Sequence, residues 1–234
     1  KQKKGKSGEI HITDAIQSLI LENNKFVGHN FAGKYLDCGT MKGYIRSSIK
    51  ISKELLKWVD KGYDIIALVP SCALMLKFEW PLILPENKNV MRLSKATFDI
   101  AEYIVDIKKK EGLATGIEPL DGTVSMHLAC HSRAQNMGAK GAEMLNFIPG
   151  LKVDTIDKCS GHGGSWGVMK DNFDTALKVG RPVARKAKEK GANLIVSECP
   201  LAREHLIQMI EDLDDKDCIG IEQNISHPIQ ILAQ

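Results

Sequence analysis

From about residue 55 onward, short runs of β-branched and other apolar residues alternate with longer stretches in which apolar positions recur every three or four residues. Compact apolar runs fit buried strands and a period near 3.6 fits a helix, so the alternation predicts βαβ units. The expected strands are 64–69, 123–129, 152–157, 193–197 and 218–221, and the expected helices cover about 91–110, 133–147, 171–190 and 201–213. In the second of these helices Ala134, Met137, Ala142, Leu145 and Phe147 form the apolar stripe; in the third, Phe173, Leu177, Val183 and Ala184 do so. Gly138, Gly141, Gly180 and Pro182 interrupt both patterns and weaken the helices around them. Residues 1–53 follow a different rhythm: a polar lead, a helix over 15–22, a strand over 25–31, a glycine turn and a second helix from near Met41. Asp14 and Gln17 have the spacing of a capping box. The expected fold is α/β, a mostly parallel sheet with flanking helices, preceded by a small α+β N-terminal fragment over 1–54.

Composition narrows the classes. With 234 residues of which 43% are hydrophobic, the chain can bury one or two cores, which excludes a disordered, collagenous or disulfide-stapled chain. A net charge of +3 is dispersed apart from the first six residues, so nucleic acid is not an expected partner. No run of about 18 apolar residues exists, so no transmembrane helix is expected and the expected location is the cytoplasm. In that reducing compartment the six cysteines are expected to be free, metal-bound or catalytic.

Four of them, Cys72, Cys130, Cys159 and Cys199, each follow the end of a predicted strand. In a parallel sheet those ends share one edge, where ligands bind because successive loops converge there. Thiolates gathered on such an edge suit zinc or an iron–sulfur cluster, and His131, His162 or His205 could complete a site with three sulfurs. The competing reading is that a free cysteine is a small buried hydrophobe. His127 alternates into a strand and reads as a packed core residue, and His227 before Pro228 reads as a turn or helix cap. The segment from Cys159 to Gly167 has four glycines whose N–H groups can approach an anion or a cluster sulfur. It lacks the Gly-Lys-Ser/Thr ending of a phosphate loop and has Trp166 where a dinucleotide loop needs glycine.

Residues 55–234 resemble the cysteine-rich iron–sulfur family that includes the B subunit of heterodisulfide reductase and the C subunit of anaerobic glycerol-3-phosphate dehydrogenase. The resemblance is carried by Pro-Ser-Cys72-Ala-Leu-Met-Leu-Lys, His-Leu-Ala-Cys130-His-Ser-Arg-Ala-Gln-Asn-Met-Gly, Lys-Cys159-Ser-Gly-His-Gly-Gly-Ser-Trp-Gly, Ser-Glu-Cys199-Pro-Leu-Ala and His227-Pro-Ile-Gln-Ile-Leu-Ala-Gln. It implies a [4Fe-4S]-type cluster in an oxidoreductase subunit that passes electrons between a flavoprotein or ferredoxin-type partner and a quinone or disulfide. Peripheral membrane association would then come through a partner. Cys130, Cys159 and Cys199 are the implied ligands, with Gly163 and Gly164 as donors to sulfur and His131, His162 or Cys72 as a further ligand. Ser160 and Ala202 stand where the family has its second cysteines, which leaves a simpler cluster than the five-thiolate kind. Residues 5–53, through Gly8-Glu-Ile-His-Ile-Thr-Asp14 and Gly33-Lys-Tyr-Leu-Asp37-Cys-Gly-Thr, resemble the tail of UTP-glucose-1-phosphate uridylyltransferase, which would place a magnesium ligand at Asp14. Two alternatives to the redox function follow: a structural zinc or metal-free α/β interaction module, and a remnant of the uridylyltransferase in a fused frame.

Overall fold

The computed structural model describes residues 11–192, 194–212 and 227–233. The chain divides into two compact units between Asp37 and Cys38. In the first, helix α1 (Ile12–Leu21) starts after an extended His11 and buries none of its residues. The start at Ile12 puts Asp14 inside the first turn, where it favours the helix dipole. The expected capping box at Asp14 and Gln17 is therefore not the start of the helix. Residues 25–31 form no strand, and Phe26, Val27 and Phe31 stay exposed. Apolar and aromatic residues alone cannot make a strand when no neighbour accepts its backbone hydrogen bonds.

The second unit begins with helix α2 (Met41–Val59), capped by the Thr40 hydroxyl, which accepts from the Gly43 N–H at 3.0 Å. The helix runs through position 54 without interruption. Tyr44 and Ile51 from before that point and Leu55, Leu56 and Val59 from after it pack on one cluster with Leu76, Trp80, Val90 and Leu93. Strand β1 (Ile65–Ala67) leads into α3 (Pro70–Leu74), a π-helical turn Met75–Glu79 and α4 (Trp80–Ile83). Then come α5 (Lys88–Lys95), β2 (Thr97–Asp99) and α6 (Ile100–Lys110).

The single helix expected over 91–110 is thus two helices with a strand between them. Thr97–Asp99 pair in parallel with β1, and Asp99 begins α6 as half of a capping box with Glu102. That box, Asp99 followed three residues later by Glu102, is legible in the sequence but hidden inside a continuous helical pattern.

Strand β3 (Gly122–His127) is followed by α7 (Cys130–Ala134), α8 (Lys140–Leu145) and β4 (Leu151–Ile156). The one helix expected over 133–147 is thus two short ones. Asn136 and Gly138 adopt left-handed backbone, with φ of +54° and +78°, which ends the first segment and separates the second. Helix α9 (Phe173–Glu189), strand β5 (Leu194–Ser197), α10 (Pro200–Asp212) and α11 (Pro228–Leu232) complete the described chain. The expected strand over 218–221, with Cys218, lies outside the described residues. His227 caps α11, as its place before Pro228 predicts: its Nδ1 accepts from the Ile229 N–H at 3.2 Å.

Among the described residues the strands form two parallel sheets, β1-β2 and β4-β3-β5. Alternation splits the larger sheet into two faces. Val124, Met126, Val153 and Val196 pack with Ala142, Leu145 and Ile231 from α8 and α11, whereas Ile156 and Ile195 pack with Val183, Leu206 and Met209 from α9 and α10. Helices on both faces of a parallel sheet are the expected α/β arrangement. Ala101 and Val105 of α6 meet Met144 of α8, joining the smaller sheet's helices to the larger sheet's.

Candidate metal centre

The register of the larger sheet fixes the height of three loops. His127, the last residue of β3, is paired with Ile156 of β4 on one side and Ser197 of β5 on the other. Counted from this common level, Cys130 and Cys159 lie three residues beyond and Cys199 two. Neighbouring strands are about 4.8 Å apart, so the three loops leave the sheet side by side. Because the chain goes from β3 to β4 on one flank and returns to β5 on the other, the topology reverses at the β3–β5 crevice. Such a reversal opens a cleft at the carboxyl ends of the strands. Cys130 and Cys159 are exposed and Cys199 is half-buried.

A buried knot ties these loops together. The Nε2 of His127 lies 3.0 Å from the carbonyl of Lys158, and its Nδ1 lies 3.0 Å from the Ser197 hydroxyl. A carbonyl only accepts, so Nε2 carries the proton and Nδ1 accepts from Ser197. The same serine oxygen accepts the Cys199 N–H at 3.2 Å. One imidazole therefore joins the strand before Cys130, the residue before Cys159 and the turn into Cys199. Burial pushes the His127 pKa down, with the Lys158 carbonyl opposing and Arg133 assisting, which keeps the ring neutral. Arg133 in turn donates to the Asp157 carbonyl at 2.7 Å, a second tie between the Cys130 and Cys159 segments.

The glycine-rich loop after Cys159 is pressed onto α9. A Cβ on Gly161 would stand 2.1 Å from the Ala176 carbonyl oxygen, and one on Gly180 would stand 2.3 Å from the Ser160 carbonyl oxygen. The close approach explains a glycine on each side, and Gly161 also needs its φ of +78°. The Gly161 N–H points at the Cys159 sulfur at 3.4 Å. Gly163 and Gly164 form an exposed turn at positive φ, closed where the Trp166 N–H meets the Gly163 carbonyl. His162 is buried, its ring edge-on to His205 at 6.1 Å between centroids, and burial followed by His205's charge lowers its pKa. His131 is exposed, with Nδ1 3.8 Å from the Cys130 sulfur.

Cys72 comes from the smaller sheet, on α3, which packs against α7 and so against the helix that Cys130 begins. Among the described residues, no three Cys, His, Asp or Glu side chains gather tightly enough to hold a single metal ion. Two residues inside the cysteine motifs are given no role by the sequence. Glu198, one residue before Cys199, is buried, and its carboxyl is pushed up to about 7, first by burial and against the pull of the Ser132 hydroxyl. Gly141 leaves room for it, since a Cβ there would lie 2.8 Å from its Oε1. Gln135, at the end of α7, is also buried and holds three partners. Polar residues near cysteines read as solvated loop positions until the fold encloses them.

Residues 124–207 match the model of the cysteine-rich domain, CCG. The matched stretch runs from the start of β3 into α10 and contains Cys130, Cys159 and Cys199. The chain is 30% identical over 175 residues to the C subunit of the anaerobic glycerol-3-phosphate dehydrogenase of Escherichia coli (strain K12), covering 74% of this chain and 41% of that one. It is 28% identical over 170 residues to the D subunit of the dihydromethanophenazine:CoB--CoM heterodisulfide reductase of Methanosarcina acetivorans, covering 70% and 38%. An uncharacterized iron-sulfur protein of Methanocaldococcus jannaschii is 26% identical over 138 residues, covering 58% of this chain and 27% of that one. The chain spans about two fifths of the length of the first two relatives.

Proposed function

We propose that this chain is an iron–sulfur electron-transfer subunit of an oxidoreductase, with Cys130, Cys159 and Cys199 as thiolate ligands of a [4Fe-4S]-type cluster. The observation that carries the proposal is the register: three adjacent parallel strands end at one level, and each is followed within three residues by a cysteine. The donor set suits the group, because thiolates select soft, sulfide-bridged iron. A cluster of several irons also takes its thiolates from a wider circle than one zinc ion, whose tetrahedral ligands stand about 3.8 Å apart at a Zn–S distance near 2.3 Å. When bound, the cluster supplies one-electron transfer.

The protein's residues have distinct parts in this reading. His127 fixes the three loops in one arrangement. The Gly161 N–H, donating to the Cys159 sulfur, favours the more negative state of the site and so raises its potential. Gly163 and Gly164 present further N–H groups on the exposed turn, and His131 and Cys72 are open candidates for a further ligand. The exposure of Cys130 and Cys159 supports a centre that a flavoprotein or ferredoxin-type subunit could approach, with a quinone or a disulfide as the eventual acceptor. Ser160 and Ala202, both buried, stand at the second-cysteine positions, which favours a cluster with fewer thiolates than the five-thiolate kind. Among the described residues no helix is long and apolar enough to cross a membrane, and the proposed place of work is the cytoplasm.

Anaerobic reconstitution tests the proposal. Iron and sulfide in near-equal amounts, with a visible charge-transfer band that bleaches on reduction, is the expected result. A colourless protein with all thiols titratable would refute it, and one zinc without sulfide would assign the chain to structural metal binding.

A further inference from the structure

The fourth cysteine, Cys72, lies in the smaller sheet's half of the unit, which, among the described residues, no shared strand links to the larger sheet. What does link them at this point is Gln135. It is 4% exposed and follows α7 directly, five residues after Cys130. Its Nε2 donates to the carbonyl of Pro70, the first residue of α3, at 3.4 Å and to Asp99 Oδ2 at 3.1 Å. Its Oε1 accepts from Lys77 Nζ at 3.2 Å. Lys77 sits on the π-helical turn after α3, its own carbonyl accepts from the Ser94 hydroxyl, and its ammonium is paired with Glu102. Asp99 in turn caps α6. A single amide thus holds the start of the Cys72 helix, the turn that follows it and the strand beside it, all against the end of the Cys130 helix. A π-turn inserted into a helix is a recurrent mark of functional segments.

We infer that Gln135 is a positioning residue that locks the Cys72 helix onto the Cys130 helix and so fixes the Cys72 thiol relative to the three-cysteine rim. A primary amide suits the task because it donates and accepts at once, and every partner here is of the required kind: two acceptors face its nitrogen and one cation faces its oxygen. Removing the side chain leaves a buried carboxylate, a carbonyl and an ammonium short of partners in the gap between the two halves. No sheet pairing among the described residues restores their spacing. The inference gives the cluster reading a fourth thiol held at a set distance, and it rests on that reading only for its purpose.

The test is made on the metal-free full chain, so it stands apart from whether a cluster binds. With Cys38, Cys159, Cys199 and Cys218 replaced by serine, nitroxide labels on Cys72 and Cys130 report the distance between the two helices by their dipolar coupling. In the otherwise unchanged background the distribution should be narrow. Gln135→Ala should widen it roughly twofold, because the local restraint is gone. Val105→Ala, a cavity in the core of α6, lowers stability without touching the clamp and should leave the width unchanged. Should Gln135→Ala not fold, Gln135→Glu keeps the length and deletes the donor, and should widen the distribution; adding Asp99→Asn returns a donor–acceptor pair and should narrow it again. An unchanged width in the Gln135 variants, or equal widening by Val105→Ala, would overturn the inference.

Discussion

The two halves of the larger unit deliver cysteines to the surface by different means. In the β4-β3-β5 half, the position of each cysteine is counted off a ladder of backbone hydrogen bonds, and one buried imidazole cross-ties the ends. In the β1-β2 half, a strand of three residues leads into a five-residue helix, and the thiol's place depends on a side chain from the other half, Gln135, which also holds Lys77 of the following turn. Register is a cooperative property of many bonds, whereas a side-chain clamp is lost with one substitution. The difference teaches that equivalent sequence positions, a cysteine just past a strand, need not be equally fixed.

The largest expected effect tests that inequality directly. Cys130→Ser, Cys159→Ser and Cys199→Ser should each lower iron retained after anaerobic reconstitution by at least about tenfold, since even outer-sphere changes cost that much at metal sites. Cys72→Ser should cost clearly less than about tenfold on the same scale. Equal losses at all four positions would erase the distinction between a register-held and a clamp-held thiol.

The knot at His127 gives the next largest effect. His127→Phe keeps a planar ring but leaves the Ser197 O–H without its acceptor and the Lys158 carbonyl without its donor, each costing about 1–3 kcal/mol if left without a replacement. Chemical denaturation of the metal-free protein should show a loss of about 2–4 kcal/mol. His127→Gln, which can donate to one partner and accept from the other, should recover more than half of it. If His127→Phe costs under about 1 kcal/mol, the loops are held by the ladder alone and the knot is incidental.

The knot also has a pH signature. Burial lowers the pKa of His127, His162 and His227 below the ordinary value of 6.5. Below pH 6.5 the unfolded chain therefore binds protons at these three rings that the folded chain refuses, so their contribution to stability falls with pH until the folded-state values are reached. Glu198 opposes them, because its raised carboxyl takes up a proton in the folded chain from about pH 7 downward. Above pH 6.5 the three rings contribute no slope. His127→Gln should remove its share of the acid sensitivity and leave the share of the other two, as read from denaturation midpoints across that range.

Much of this arrangement is legible in the sequence, and the illegible part has a physical pattern. The strands after residue 55 stand out because the runs over 64–69, 123–129, 152–157 and 193–197 are compact and bounded by turn residues, and each matches an observed strand to within two residues at either end. Strand β2 is hidden because Thr97 and Phe98 continue a helical period and only tertiary pairing with β1 makes them extended. The same limit in reverse defeats the strand over 25–31, whose apolar residues Phe26, Val27 and Phe31 meet no ladder partner. The helix over 133–147 breaks at Asn136, where a left-handed residue is tolerated without being announced. At the site, cysteines and glycines are conspicuous by type. Gln135 and Glu198 become meaningful only once two distant segments enclose them, because burial is a property of the fold.

The smallest expected effect compares two lysines that make the same kind of bond in the two halves. Lys77 is 11% exposed and bridges Glu102 and Gln135, while Lys190 is 40% exposed and reaches Asp154 at 2.7 Å, joining the end of α9 to β4. A solvated pair gains little, because water screens the attraction and the side chains lose freedom to hold it. Lys190→Ala should cost no more than about 0.5 kcal/mol, vanishing in high salt. Lys77→Ala leaves Glu102 and the Gln135 oxygen facing a partly dry gap and should cost about 1–2 kcal/mol with little response to salt. Denaturation at low and high ionic strength separates the two. Equal, salt-sensitive losses would mean that water reaches the Lys77 gap as freely as it reaches the edge of β4, and an interface that wet could not hold the Cys72 helix through hydrogen bonds.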